Sequence, residues 1–245
     1  MSIKVKTKKT IKDILGFTYY YLYRKYKNNI GVKSLIYHAF GSKLKHDTYG
    51  ISMSMNNFRS HISYLRENYE FTYINKISDN KFQISLTIDD GYACTNDAID
   101  LLHSYNIPVT IFITSDNIDK KQYLTSKDLI NISKLPNVQI GSHGVSHSKL
   151  SDLSYDDQYM ELRQSKKALS DIINQEINGL SFPHGSFNMQ TIEIISKLKY
   201  DYAATSKKGI NSIETDKYLL CRDEIISTDS IKDLRKKIQG FYEYY

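Results

Sequence analysis

From residue 34 onward, short apolar runs alternate with helical spacings, and this alternation limits the chain more than any other feature. Val109-Thr110-Ile111-Phe112-Ile113 is β-branched and almost wholly apolar, as a strand covered on both faces should be. Residues 34–38, 84–88, 138–141, 180–182, 202–205 and 219–226 read as further strands, and 71–74 as an extended piece. Between them Met55, Phe58, Ile62 and Leu65 recur at intervals of three and four, the spacing of one helix face. Comparable patterns predict helices over 55–69, 96–105, 126–135, 154–173 and 189–198, with a last one from Asp229. Repeated strand–helix units predict a parallel α/β sheet, and this many units in one domain predict a barrel. Barrels of this kind gather their chemistry where strands end and loops begin.

The 245 residues suffice for one sizeable core and are marginal for two. No repeat or Pro/Gly/Ser-rich linker divides them, and 11 Gly with 3 Pro exclude a collagen-like or linker-dominated chain. A net charge of +6 fits an anionic partner, or a solubility margin alone. No base-stacking motif or basic groove supports nucleic acid. Two cysteines, Cys94 and Cys221, build no disulfide framework. Residues 1–33 form a basic, aromatic segment whose apolar run, 14–23, holds four tyrosines and is too short to span a bilayer. No cleavable signal is readable there, so the expected location is cytoplasmic, or peripheral at the inner membrane surface. As a helix, this segment either lies on an anionic membrane or packs on the domain by its Ile/Leu/Tyr face. The second is the usual pattern of a surface helix.

Three motifs carry the chemistry. Asp89-Asp90-Gly91 ends the 84–88 strand. Adjacent carboxylates raise one another's pKa unless a cation intervenes, although Asp-Gly is also ordinary turn chemistry. His143-Gly144-Val145-Ser146-His147 follows the 138–141 strand. Curled into a helical turn, such an i, i+4 pair could place both imidazoles on one metal; otherwise it is two solvent-facing histidines in a polar loop. Its position at a strand end, matching that of Asp90, favours metal. Two histidines with one carboxylate leave coordination positions open. Phe182-Pro183-His184-Gly185 ends another strand, and its turn either aims backbone N–H groups into the site as an oxyanion hole or merely terminates the strand.

Leu86–Tyr92, Gly141–His147 and Ser181–Asn188 resemble, in order and spacing, three motifs of the polysaccharide deacetylases (the NodB-homology, carbohydrate esterase 4 group). The resemblance covers roughly residues 33 to 227 and implies a distorted (β/α) barrel over a catalytic domain of 34–245. It implies a divalent metal, zinc by its donor set, and hydrolysis of an N-acetyl group from an amino sugar in a glycan or glycan precursor. Matched residue by residue, Asp89 falls on the catalytic base, and Asp90, His143 and His147 on the metal ligands. Two departures matter. Ser181 stands where many members have Arg, and no histidine follows His184 to match their C-terminal general acid. Tyr37-His38 instead resembles the Tyr-His of a poly-N-acetylglucosamine deacetylase-like branch, which makes His38 the candidate acid. Leu219-Leu220-Cys221-Arg222 resembles that branch's Leu-Pro-Arg, with Arg222 orienting Asp89 by a charge-assisted pair.

These residues describe metal-assisted amide hydrolysis. Asp89 takes a proton from water, the metal and the backbone N–H of His184 or its neighbour stabilise the oxyanion, and His38 protonates the departing amine. A related amide or ester deacylase on a sugar, for example a deformylase, would use the same residues. A non-catalytic glycan-binding homologue would have lost a ligand or the base, and none is lost. Cytoplasmic placement sits uneasily with the family, whose members commonly act outside the cytoplasm.

Overall fold

The computed structural model describes residues 3–26, 29–42, 44 and 47–244. Helix α1 (Ile3–Leu22) precedes β1 (Gly31–Tyr37) and the two-residue strands β2 (Ala39–Phe40) and β3 (Ser52–Met53). Then follow α2 (Met55–Asn68), β4 (Glu70–Phe71), β5 (Phe82–Ile88), α3 (Thr95–Ser104) and β6 (Val109–Ile113). The remainder runs α4 (Ser126–Ile132), β7 (Val138–Ser142), α5 (Tyr155–Ile173), β8 (Gly179–Ser181), α6 (Met189–Lys197), β9 (Tyr202–Ala204), β10 (Asp223–Glu224) and α7 (Ile231–Gln239). Ser54, Thr125, Ser154, Asn188 and Ser230 cap α2, α4, α5, α6 and α7 by accepting a backbone N–H, the chemistry that starts a helix.

The main sheet is parallel throughout, in the order β10-β1-β5-β6-β7-β8-β9, with β4 also on β5. It curls as a half-barrel, and residues 205–222 bridge its ends. Ala204 pairs with Leu220, and Val32 with Asn211. The expected strand over 219–226 is therefore only partly formed. Leu220 serves one bridge, the Cys221 N–H goes to the Asn211 side chain at 2.7 Å, and only Asp223 and Glu224 join the sheet.

β1 begins at Gly31, so the sheet takes in the end of the segment 1–33. Helix α1 docks on the C-terminal tail, but not by its Ile/Leu face. Tyr242 Oη donates to Asp13 at 2.6 Å, Tyr20 stacks on Phe241 at 4.1 Å, and Arg24 pairs with Glu243 at 2.8 Å. Gly16 permits the close approach, since a Cβ there would stand 2.8 Å from the Phe241 carbonyl. Ile11, Ile14, Leu15 and Leu22 stay exposed. Glu243 continues to the buried Lys33 at 2.8 Å, which also pairs with Asp223 at 2.6 Å. That ion chain ties both ends of the described chain to the N-terminal half of β1. Met1, Ser2, Lys27 and Asn28 of the basic segment lie outside the described residues.

Candidate active site

A cavity of about 710 Å³ opens beyond the C-terminal ends of the strands, and His38, Asp89, Asp90, His143, His147, Phe182 and His184 all line it. His38 follows β1, the two aspartates follow β5, His143 follows β7, and the Phe182 turn follows β8. Parallel strands end on one side of the sheet, so His38 and His184, 146 positions apart in sequence, share one cavity. Tyr92 and Tyr123 stack at 5.0 Å along its wall.

Arg222 enters differently. It precedes β10, and its fully buried side chain runs through the half-barrel interior past the Phe112 ring. All five guanidinium N–H groups are used. Nε donates to Thr205 O at 3.0 Å. One terminal nitrogen donates to Thr87 Oγ1 at 3.0 Å and Asp89 Oδ1 at 2.8 Å, the other to Asp89 Oδ2 at 2.9 Å and Ser181 Oγ at 2.6 Å. Ser181 Oγ also reaches Asp89 Oδ2 at 3.0 Å. Burial pushes the Asp89 carboxyl up, but the Arg222 guanidinium, with lesser help from His143 and His38, outweighs it and holds the group below the usual carboxylate range. The bidentate fork also fixes the plane of the carboxylate.

Asp90, His143 and His147 each offer one ligand atom, and these atoms lie within 4.8 Å of one another. Asp90 Oδ1 stands 3.2 Å from His147 Nε2 and 3.5 Å from His143 Nε2, and is buried without a hydrogen bond of acceptable angle. His143 Nδ1 donates to Ser181 O at 2.8 Å in the tautomer that leaves Nε2 a lone pair, as a metal-binding imidazole requires. Burial lowers its pKa to about 4, so it is neutral at pH 7. At His147 burial also works downward, yet the Asp90 carboxylate 3.2 Å away prevails and raises it. Asp90 is pushed up by burial and held well below its ordinary value by His147, His38 and His143. The electrostatic demand at this point is for positive charge, and the donor set fits a divalent cation.

The histidine pair is not on a helical turn. Gly144 (φ 74°) and His147 (φ 63°) are both left-handed and bend the loop back, and a Cβ on Gly144 would meet Glu161 Oε2 at 3.2 Å. Glu161 of α5 clamps the bend, accepting from Val145 N at 2.9 Å, Ser146 N at 3.0 Å and Ser146 Oγ at 2.7 Å. No local pattern marks Glu161, and Ser181 was notable only as a departure from Arg. In the Pro183–Gly185 turn the Gly185 N–H donates to Phe182 O and the Ser186 N–H to Pro183 O, both at 2.9 Å. Pro183 has no N–H, so His184 N is the donor the turn does not consume. The His184 ring is exposed and lies 4.4 Å from that of His147, tilted by 61°. His38 Nδ1 is buried without a hydrogen-bond partner.

A carboxylate locked by arginine beside an open Asp–His–His set, at the strand ends of a parallel half-barrel, is the architecture of a deacetylase-type α/β protein. The chain belongs to the polysaccharide deacetylase family, whose description matches residues 76–203, just over half of it. YxkH of Bacillus subtilis (strain 168), which bears the same family description, is 29% identical over 140 residues, covering 57% of this chain and half of its own length. The poly-beta-1,6-N-acetyl-D-glucosamine N-deacetylase of Staphylococcus aureus (strain MSSA476) is 25% identical over 228 residues, covering 83% of this chain and 77% of the relative. The Streptococcus pyogenes deacetylase PplD, solved with acetate, shares the fold. Its TM-score is 0.76 at 23% identity, over 86% of this chain and 99% of PplD.

Proposed function

We propose that the protein is a metal-dependent hydrolase that removes N-acetyl groups from an amino-sugar-containing glycan and releases acetate. The observation that carries this reading is the pairing of a base and an open ligand set in one cavity: Asp89 in the Arg222 fork, beside Asp90, His143 and His147. Membership of the family and the named activity of the Staphylococcus aureus relative support an N-acetylated amino sugar as substrate.

Two imidazoles and a carboxylate suit zinc, which when bound would polarise the acetyl carbonyl and acidify a water. Asp89 accepts the proton of that water as its oxygen bonds to the acetyl carbon. His184 N–H donates to the oxygen that gains charge. His38 gives a proton to the nitrogen as the C–N bond breaks, because an amide nitrogen leaves poorly otherwise. The products are acetate and a free amino sugar.

The test combines metal analysis with acetate release from N-acetylglucosamine oligomers of β-1,6 and β-1,4 linkage. About one divalent ion per chain is expected, lost together with activity in His147→Ala. Asp89→Asn should keep the ion and lose turnover. A metal-replete protein that releases no acetate from either oligomer refutes the substrate assignment, and full metal content in His147→Ala refutes the ligand set.

A further inference from the structure

Of the thirteen large apolar side chains exposed among the described residues, seven lie between Ile11 and Tyr23. The others, such as Ile130, Met160 and Ile213, are scattered over separate elements, and scattered apolar residues need no partner. On α1 they follow a pattern. Asp13, Gly16 and Tyr20 turn toward the C-terminal tail. Ile11, Ile14, Leu15, Tyr21 and Leu22 fall on the opposite side at 100° per residue, and all but Tyr21 are exposed by half or more. The helix is therefore apolar on the face it turns away from the body, where a surface helix should be polar.

Charge identifies the occupant. Residues 1–27 hold eight Lys and Arg against one Asp, and the rest of the chain 25 against 26. The whole positive excess thus belongs to the stretch of sequence that carries α1. Five lysines precede Asp13 with no acidic residue among them. A second copy of the chain would bring a like-charged segment against this one, and a soluble polyanion would offer nothing to the apolar stripe. An anionic lipid surface satisfies both.

We propose that the outward face of α1, with Ile11, Ile14, Leu15, Tyr21 and Leu22, lies in the plane of an anionic membrane, held there by the positive charge concentrated before Asp13. Among the described residues no helix is long and apolar enough to cross a membrane, so α1 lies on the surface. Among the described residues none of α1 lines the catalytic cavity, and the ion chain behind it reaches the N-terminal half of β1 while His38 lies past the C-terminal end. Docking therefore leaves the cavity uncovered. The inference rests on α1 alone and is independent of the catalytic reading.

The test is flotation of the full chain with vesicles of phosphatidylcholine containing about 30 mol% phosphatidylglycerol, against phosphatidylcholine alone. The wild type should float with the anionic vesicles and stay largely in solution with the neutral ones. Ile14→Glu/Leu22→Glu should lower partitioning roughly tenfold or more, with unchanged melting temperature and unchanged activity on a soluble oligomer. Ile14→Gln/Leu22→Gln removes the apolar contribution without adding charge and should weaken binding in the same direction. Wild type that stays in solution with anionic vesicles overturns the proposal, as do variants that float like wild type. A dimer by light scattering that the Glu variant dissociates, without vesicle binding, assigns the face to self-association instead.

Discussion

Replacing Arg222 with Met should be among the most damaging single changes in the molecule, for a reason that its partner can reveal. Methionine fills much of the arginine stem but leaves the Asp89 carboxylate buried with only Ser181 Oγ to donate to it. Breaking a buried pair by removing one member costs about 3–5 kcal/mol, because the remaining charge is uncompensated. For a domain of this size each kcal/mol lowers the melting temperature by roughly 2–4 °C, so a fall of about 6–20 °C is expected. Scanning calorimetry with chelator present keeps metal linkage out of the comparison. The diagnostic step is the second substitution. Asp89→Asn should destabilise the wild type, since it strands the guanidinium, yet it should stabilise Arg222→Met by removing the stranded carboxylate. Effects of Asp89→Asn and Arg222→Met that add to within about 0.5 kcal/mol would refute the coupling. Arg222→Lys keeps the charge without the fork and should recover part of the stability while activity stays low, because the plane of Asp89 is no longer fixed.

Three further outcomes are expected. His38→Ala should leave metal content intact and lower kcat for an unactivated acetamide by roughly 100- to 10,000-fold, with much less effect on an aryl ester, whose leaving group needs no proton; equal losses on both would make His38 a packing residue. Lys33→Met strands the buried Asp223 and should cost about 3–5 kcal/mol, but the folded fraction should keep normal kcat, since neither residue lines the cavity; a large loss of kcat in folded protein would contradict that separation. Burial holds the His61 imidazole below its ordinary pKa, and the Asp229 carbonyl and carboxylate offset this only in part. A folded-state value below the unfolded one means the stabilisation is complete above about pH 6.5 and is lost as pH falls toward the folded value. The stability advantage of wild type over His61→Asn, from urea unfolding, should therefore shrink between pH 8 and pH 5, and a pH-independent difference would rule the linkage out.

Where structure follows from neighbours in sequence, the chain could be read in advance. The strand 109–113 is β6 residue for residue, and the helices predicted near 55, 126, 154 and 189 begin within a residue of those positions. Periodicity and a capping side chain are local, and both survive folding. The run 219–226 has the same apolar look as a strand but is divided between a bridge, a side-chain contact and a two-residue pairing. Its partners come from β1, from Ala204 and from Asn211, and no local pattern announces that division. Motif residues were legible as chemistry and their supports were not. Glu161 lies on α5 beyond the loop it clamps, and Thr87 and Thr205 matter only because Arg222 threads between them. Helix α1 was legible as amphipathic, and which face it would bury was not, because Gly16 and the tail at 241–243 decide that contact.

The site's backbone shows why its geometry cannot be local. Asp90 (φ 75°), His147 (φ 63°) and His184 (φ 57°) are all non-glycine residues in the left-handed region, at a cost of order 1 kcal/mol or more each. Such conformations persist only where the surroundings over-determine them, and here the surroundings can be named. Gly91 O accepts from Leu124 N at 2.9 Å just after Asp90, His143 N donates to Ile113 O at 2.8 Å at the root of the histidine loop, and Glu161 closes its bend. At His184 the flanking Pro183 and Gly185 carry the turn, and the inverted residue between them keeps the amide that the turn leaves unused. Asp90 and His147 therefore each lie between a strand end and a hydrogen bond from a different element, while His184 is held by the hydrogen bonds of its own turn. The half-barrel supplies that rigidity from four strands at once, so the same three motifs in an isolated loop would relax out of register with one another.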